Sequence, residues 1–193
     1  LFLKGRCRYC RAPVSIQYPA VELLTASAFI LCLLSKGPGM GSAIMCMFSG
    51  ILITAAFIDA RHMYIPDGIH VLILLLSCIS LAAGSAPSLM NRLGGSLLTG
   101  GFLALVNLLS RGGVGWGDVK LFAASGLLIG AAPAMTALLM GYVTAGLWYA
   151  VPLLRGRVGR KTQIPMAPFF AVSLMICGLW FRQLLLWYLG FFR

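Results

Sequence analysis

The stretch from Val119 to Leu154, VKLFAASGLLIGAAPAMTALLMGYVTAGLWYAVPLL, carries a single charge, Lys120, in 36 residues. As one helix it would run about 54 Å at 1.5 Å per residue. A bilayer's hydrocarbon core is only about 30 Å thick, so the stretch has to be divided. Pro133 offers the break, giving a short span over 119–131 and an ordinary one over 133–154. That division decides on which side of the membrane everything after it lies.

Working outward, apolar helices are predicted at 20–35, 41–58, 67–84 and 93–110 before this stretch and at 166–189 after it, seven in all. With the N-terminus inside, Lys4, Arg6, Arg8, Arg11, Arg61, Arg111, Lys120, Arg155, Arg157, Arg160 and Lys161 fall inside. Lys36, Arg92, Arg182 and Arg193 fall outside. An 11 to 4 split of the 15 basic residues is a strong orientation signal. It places the N-terminus in the cytoplasm and the C-terminus outside. A single span over 119–154 would put the basic 155–161 loop on the wrong side. Small residues four apart, at Ser96/Gly100, Gly126/Gly130 and Ala137/Gly141/Ala145, predict close helix packing in lipid.

Composition agrees with a membrane protein. Of 193 residues, 60% are hydrophobic and 10% charged, with a mean hydropathy of +0.95. Soluble domains carry about 25% charged residues, so this chain lacks the polar surface to face water all round. The net charge of +11 does not mark a nucleic-acid partner, because the basic residues sit in short clusters between apolar runs. The expected fold is an all-α integral membrane protein of about seven transmembrane helices. Residues 1–17 form a short cytoplasmic segment and 18–193 one polytopic domain. Position 1 is Leu, without a recognisable leader, and reads as the start of a fragment.

Only four residues are acidic: Glu22, Asp59, Asp67 and Asp118. An acid at the edge of a membrane segment is costly to place and suggests a use. Asp118 follows the glycine-rich run Gly112-Gly113-Val114-Gly115-Trp116-Gly117 and opens a helix, where an aspartate can simply cap. Asp67, in Ile65-Pro66-Asp67-Gly68, has the same reading. Glu22 lies just inside the first span and reads as a buried structural acid. Asp59 ends a helix, where the dipole disfavours negative charge, so a purely structural role is harder to assign to it. In the predicted topology Asp59 and Asp118 share the cytoplasmic side. Two carboxylates brought together can share one proton: the ionised one activates water and the protonated one polarises the scissile carbonyl. That chemistry needs neither metal nor serine. His62 and His70 are too few and too poorly spaced for a catalytic zinc site.

Asp59 followed by Pro66-Asp67, with Gly115-Trp116-Gly117-Asp118-Val119-Lys120-Leu121, resembles the prepilin peptidases, the type IV leader peptidases of the GxGD membrane aspartyl protease class. Gly5-Arg6-Cys7-Arg8-Tyr9-Cys10 with Tyr18-Pro19 and Glu22-Leu23-Leu24 resembles that family's cytoplasmic segment entering its second span. Ile164-Pro165-Met166-Ala167-Pro168-Phe169 resembles its Ile-Pro-Phe-Gly-Pro-Phe stretch, with Ala167 in the glycine's place. The resemblance implies that Asp59 and Asp118 are the catalytic pair and that the family's first span is missing here. It also implies a bacterial inner-membrane enzyme. Its substrate is the N-terminal helix of a type IV prepilin or type II secretion pseudopilin, whose basic leader is cut after a glycine on the cytoplasmic face. No cofactor is implied for cleavage. S-adenosylmethionine is implied if the new N-terminus is also methylated.

The remaining expectations are local. Gly115, Trp116, Gly117 and Lys120 are candidates for shaping the peptide path, with Pro66 and Asp67 as structural neighbours. For Lys120 and Arg61, inside-loop topology already explains the charge. Cys7 and Cys10 are at most half of a four-ligand zinc site. Two rival readings stay open: a transporter using Asp59 and Asp118 as a proton or cation site, and a structural assembly protein in which neither aspartate matters.

Overall fold

The break in the long apolar stretch falls at Gly130. Its backbone (φ 88°, ψ 175°) suits glycine and strains other residues. The Gly130 N–H closes the preceding helix on the Gly126 carbonyl, and the side-chain oxygen of Asn91 accepts the first N–H of the next helix, Ala131, at 2.8 Å. Pro133, expected to make the break, instead sits in the first turn of that next helix. There its missing N–H is not needed.

The described residues of this computed structural model are Cys10, 15–84, 87–156 and 164–191. Among them are seven helices and no strand: α1 (Gln17–Lys36), α2 (Met40–His62), α3 (Asp67–Ala82), α4 (Leu89–Leu109), α5 (Trp116–Ile129), α6 (Ala131–Leu154) and α7 (Ala167–Phe191). Five of them, α1, α2, α4, α6 and α7, are long and apolar enough to cross a membrane. The others, α3 with 16 residues and α5 with 14, are shorter. This is an all-α, multi-pass membrane fold. Arg157, Arg160 and Lys161 of the basic loop, and nearly all of the 1–17 segment, lie outside the described residues.

Glycines let the central helices touch through their backbones. A methyl group on Gly126 of α5 would lie 2.5 Å from the Gly95 carbonyl of α4, and one on Gly100 would lie 2.6 Å from Ala123. Of the expected pair Ser96/Gly100, the small-residue contact at the first position is thus made by Gly95, one residue earlier. Thr99 bridges the same two helices, its hydroxyl within 2.7 Å of the Gly95 carbonyl and 3.0 Å of the Phe122 carbonyl. Ala137, Gly141 and Ala145 face inward as expected; a methyl on Gly141 would strike the Phe170 ring of α7 at 2.5 Å. Phe170 in turn meets Phe122 and Tyr142 edge-on, at 4.9 and 5.2 Å between ring centroids.

The end of the bundle away from the aspartates is held by Arg92, taken from the sequence as an outer topology charge. It is buried instead. Its guanidinium donates to the Pro87 carbonyl (2.9 Å), the Leu127 carbonyl (3.1 Å) and the Ser80 hydroxyl (2.8 Å), tying α3, α4 and α5. A planar group with five N–H donors suits a site with several unmet acceptors.

Candidate active site

The opposite end gathers the close of α2, the starts of α3, α5 and α7, and the close of α4. Asp59 lies in the last turn of α2 and is only 7% exposed. The helix stops at Met63, in the left-handed conformation (φ 55°), whose N–H returns to the Asp59 carbonyl at 2.8 Å. The Asp59 carboxylate then reaches the start of α7. Its Oδ2 accepts the Ala167 N–H at 2.9 Å, and the neighbouring Met166 amide also acts favourably on the carboxylate. A second helix's N-terminus therefore offsets the unfavourable dipole of Asp59's own helix. This gives the Pro165-Met166-Ala167-Pro168 stretch a definite use: two prolines without N–H groups flank the two amides beside the acid. Ala167 is fully buried, its methyl packed into the core.

Asp118 lies in the first turn of α5 and does not cap it. The cap position belongs to Gly115 (φ −66°, ψ 135°), whose carbonyl accepts the N–H groups of Asp118 (3.1 Å) and Val119 (3.3 Å). The Asp118 side chain folds back over Gly115, and a methyl there would lie 3.4 Å from Oδ2. Asp118 is half-buried and accepts no hydrogen bond among the described residues. The two carboxylates are near enough for Asp59 to act electrostatically on Asp118, and Asp118 acts likewise on the Tyr142 hydroxyl of α6. The structure thus brings together the two acids singled out in the sequence.

The glycine-rich loop is held from beneath by Asn107, buried near the end of α4. With its amide oriented to satisfy both partners, the nitrogen donates to the Val114 carbonyl (2.8 Å) and the oxygen accepts the Trp116 indole N–H (3.2 Å). Gly112 turns the chain with φ 94°, its N–H on the Asn107 carbonyl at 2.9 Å. Gly117 lets the α2–α3 connection approach; a methyl there would stand 3.3 Å from the Ile65 Cβ. Trp116 is 57% exposed, an apolar surface next to the acids.

Asp67 departs from the capping role expected of it. Pro66 occupies the cap position of α3, no side chain caps it, and Asp67 pairs with Lys120 of α5 at 2.7 Å. Lys120 therefore has a partner as well as a topological sign. His70, one turn along α3, is buried, with Nε2 3.1 Å from the Gly117 carbonyl. Arg61 is exposed. Cys10 is exposed too, Cys7 lies outside the described residues, and no cluster of three or more metal-ligating side chains occurs among the described residues.

Residues 46–150 match the type IV leader peptidase family, and residues 1–36 match the N-terminal domain of the same bacterial peptidases. The chain belongs to the type IV leader peptidase family. A prepilin leader peptidase/N-methyltransferase of Aeromonas hydrophila is 34% identical over 98% of this chain and 67% of its own length. One of the same name from Bacillus subtilis is 30% identical over 98% of this chain and 76% of its own. A type 4 prepilin-like protein leader peptide-processing enzyme of Escherichia coli is 38% identical over 90% and 65%. No solved structure matches the chain.

For this member of the leader peptidase family, four groups around the acids were not singled out from sequence: Asn107, His70, Tyr142 and the amides of Met166 and Ala167. His70 carried a weak signal, three residues after an acid on one helical face. Asn107 is a polar residue in an otherwise apolar helix end, where a buried amide needs a purpose. Backbone amides leave no mark in side-chain chemistry; only the two prolines around them pointed there.

Proposed function

We propose that this chain is a membrane aspartyl endopeptidase that removes the basic leader from type IV prepilins or type II secretion pseudopilins, with Asp59 and Asp118 as its catalytic pair. The observation that carries the reading is the meeting of these two carboxylates, from α2 and α5, at one end of a helical bundle. Family membership favours a peptidase over the transporter reading, and both acids lie in terminal turns of their helices.

The two seats suggest a division of labour. Asp59 accepts the Ala167 amide and is favoured by that of Met166, which suits a carboxylate that stays ionised and takes the proton from water. Asp118, without a donor among the described residues and beside that charge, suits the carboxylic acid that donates a hydrogen bond to the scissile carbonyl. Attack gives a tetrahedral diol. Its collapse breaks the C–N bond as the carboxyl pair passes a proton to the leaving amine. The exposed Trp116 indole and the Gly115–Gly117 backbone offer the surface along which the peptide lies.

The distribution of basic residues supports a site on the cytoplasmic face with the C-terminus outside, and the bacterial inner membrane is proposed from the family. The substrate enters as an N-terminal helix whose basic leader projects to that face. Residues 1–17 form a cytoplasmic segment ahead of the 18–193 membrane domain. Cys7 and Cys10 are candidates for two of the four ligands a structural zinc takes. Methylation of the new N-terminus is proposed from the names of the relatives; S-adenosylmethionine supplies the methyl group when bound. The cavity of about 240 Å³ between α6 and α7, lined by Met140, Thr144, Pro168, Phe169, Val172 and Ser173, carries no charge to hold such a ligand. The methyl donor is not assigned to it.

The test mixes purified protein with a prepilin, with and without S-adenosylmethionine, and weighs the products. Loss of the leader mass is expected, and a further single-methyl shift reports the second activity. An intact prepilin throughout would overturn the reading.

A further inference from the structure

Of the two histidines, His62 is exposed and His70 is 5% exposed. The Gly117 carbonyl, 3.1 Å from His70 Nε2, can only accept, so Nε2 carries the proton. Nδ1 is buried without a hydrogen-bond partner, 3.6 Å from Asp67 Oδ1. A buried nitrogen left unmet costs stability, and a leucine or phenylalanine would fill the position without that cost. Packing alone does not account for the imidazole.

Its position does. Gly117 is the residue before Asp118, and Lys120, two residues after Asp118, is held by Asp67 at 2.7 Å. The start of α3 therefore grips α5 on both sides of the aspartate: at the carbonyl of 117 through a buried ring, and at the ammonium of 120 through an exposed ion pair. Residues 63–66 join this same turn of α3 directly to the end of α2, where Asp59 sits, and Ile65 in that link packs against Gly117. One connection between the two acids' surroundings thus runs along residues 60–70 of the chain and across the hydrogen bond from His70 to the Gly117 carbonyl.

We propose that His70 is a positioning residue, which holds the Gly117 peptide and so fixes the angle and distance at which Asp118 faces Asp59, with the Asp67–Lys120 pair as the outer clasp. The proposal rests on the reading of Asp59 and Asp118 as the catalytic pair.

The test compares His70→Phe, which fills the space without a donor, with His70→Gln, whose amide nitrogen reaches the place of Nε2. Both are assayed on a prepilin substrate beside wild type and Asp59→Asn. His70→Phe is expected to lower kcat by about 10- to 100-fold with KM nearly unchanged, since a misplacement of about 1 Å costs that much. His70→Gln should restore most of kcat, and the melting temperature of His70→Phe should be no lower than wild type. Should His70→Phe fail to fold, the clasp serves instead. Asp67→Lys alone should lower kcat, and Asp67→Lys with Lys120→Asp should recover it. Wild-type kcat in His70→Phe overturns the proposal, as does a fall that His70→Gln does not relieve, or a charge swap without recovery. If Asp59→Asn still cleaves fully, the catalytic reading itself fails. If Asp59→Asn is dead and His70→Phe is normal, only the positioning role falls.

Discussion

Asp59 and Asp118 meet at one end of the bundle from seats of opposite construction. Asp59 is 7% exposed and fastened by the Ala167 amide, at the start of a helix more than a hundred residues away in the chain. Asp118 is half-buried, accepts no hydrogen bond among the described residues, and stands on a turn of glycines held by its neighbours. One acid is fixed by what bonds it, the other by what bonds the backbone beneath it. Where two neighbouring carboxylates have unequal surroundings, the surroundings decide which of them holds a shared proton.

Removing either acid is the harshest trial of this contrast. Asp59→Asn and Asp118→Asn should each lower prepilin cleavage by about 10²- to 10⁴-fold, with protein level and melting temperature near wild type; full cleavage by either would remove the pair from the mechanism. Lengthening each side chain by one carbon separates the seats. Asp59→Glu has no slack against the Ala167 amide and should lose roughly 100-fold in kcat, while Asp118→Glu, whose carboxylate accepts no hydrogen bond among the described residues, should lose about 10-fold. The reverse order would break the comparison.

Ala167→Pro removes the amide that holds Asp59. Proline is accepted in the first turn of a helix, so α7 should persist in circular dichroism. Loss of one charged hydrogen bond, about 1.5 kcal/mol, should lower kcat roughly 10-fold, and Ala167→Gly, which keeps the amide, should stay near wild type. At the other end of the molecule, Arg92→Met should lower stability by about 1–3 kcal/mol, because it strips partners from Ser80 and the Pro87 and Leu127 carbonyls. Its kcat should not change at a temperature where it is folded, which separates the end that holds the bundle from the end that works.

Much of this was legible in the chain. Seven apolar runs became seven helices, with ends mostly within three residues of expectation, because lipid-length apolar segments leave few alternatives. The two acids stood out since a membrane chain with four carboxylates has little reason to place them idly. Gly130 was overlooked in favour of Pro133 because proline is the stronger helix breaker inside a helix, yet in a first turn it breaks nothing. Asp67 was read as a cap because sequence shows its neighbours along one helix and not Lys120 across on another. The hold on Asp59 was hidden for a related reason: its donors are peptide N–H groups, which every residue but proline possesses.

The shortness of α5 has a consequence for the bundle around it. Fourteen residues make about 21 Å of helix, against about 30 Å of hydrocarbon in a typical bilayer. Its far end is anchored near Asn91 and Arg92, so the deficit falls on the side of Asp118. In the proposed orientation Asp118 is expected to lie below the level of the surrounding headgroups, reached by water from the cytoplasmic side. Acyl-chain length thereby becomes a tuning variable for catalysis: reconstituted in thin bilayers the protein should cleave faster than in thick ones, with its sequence unchanged.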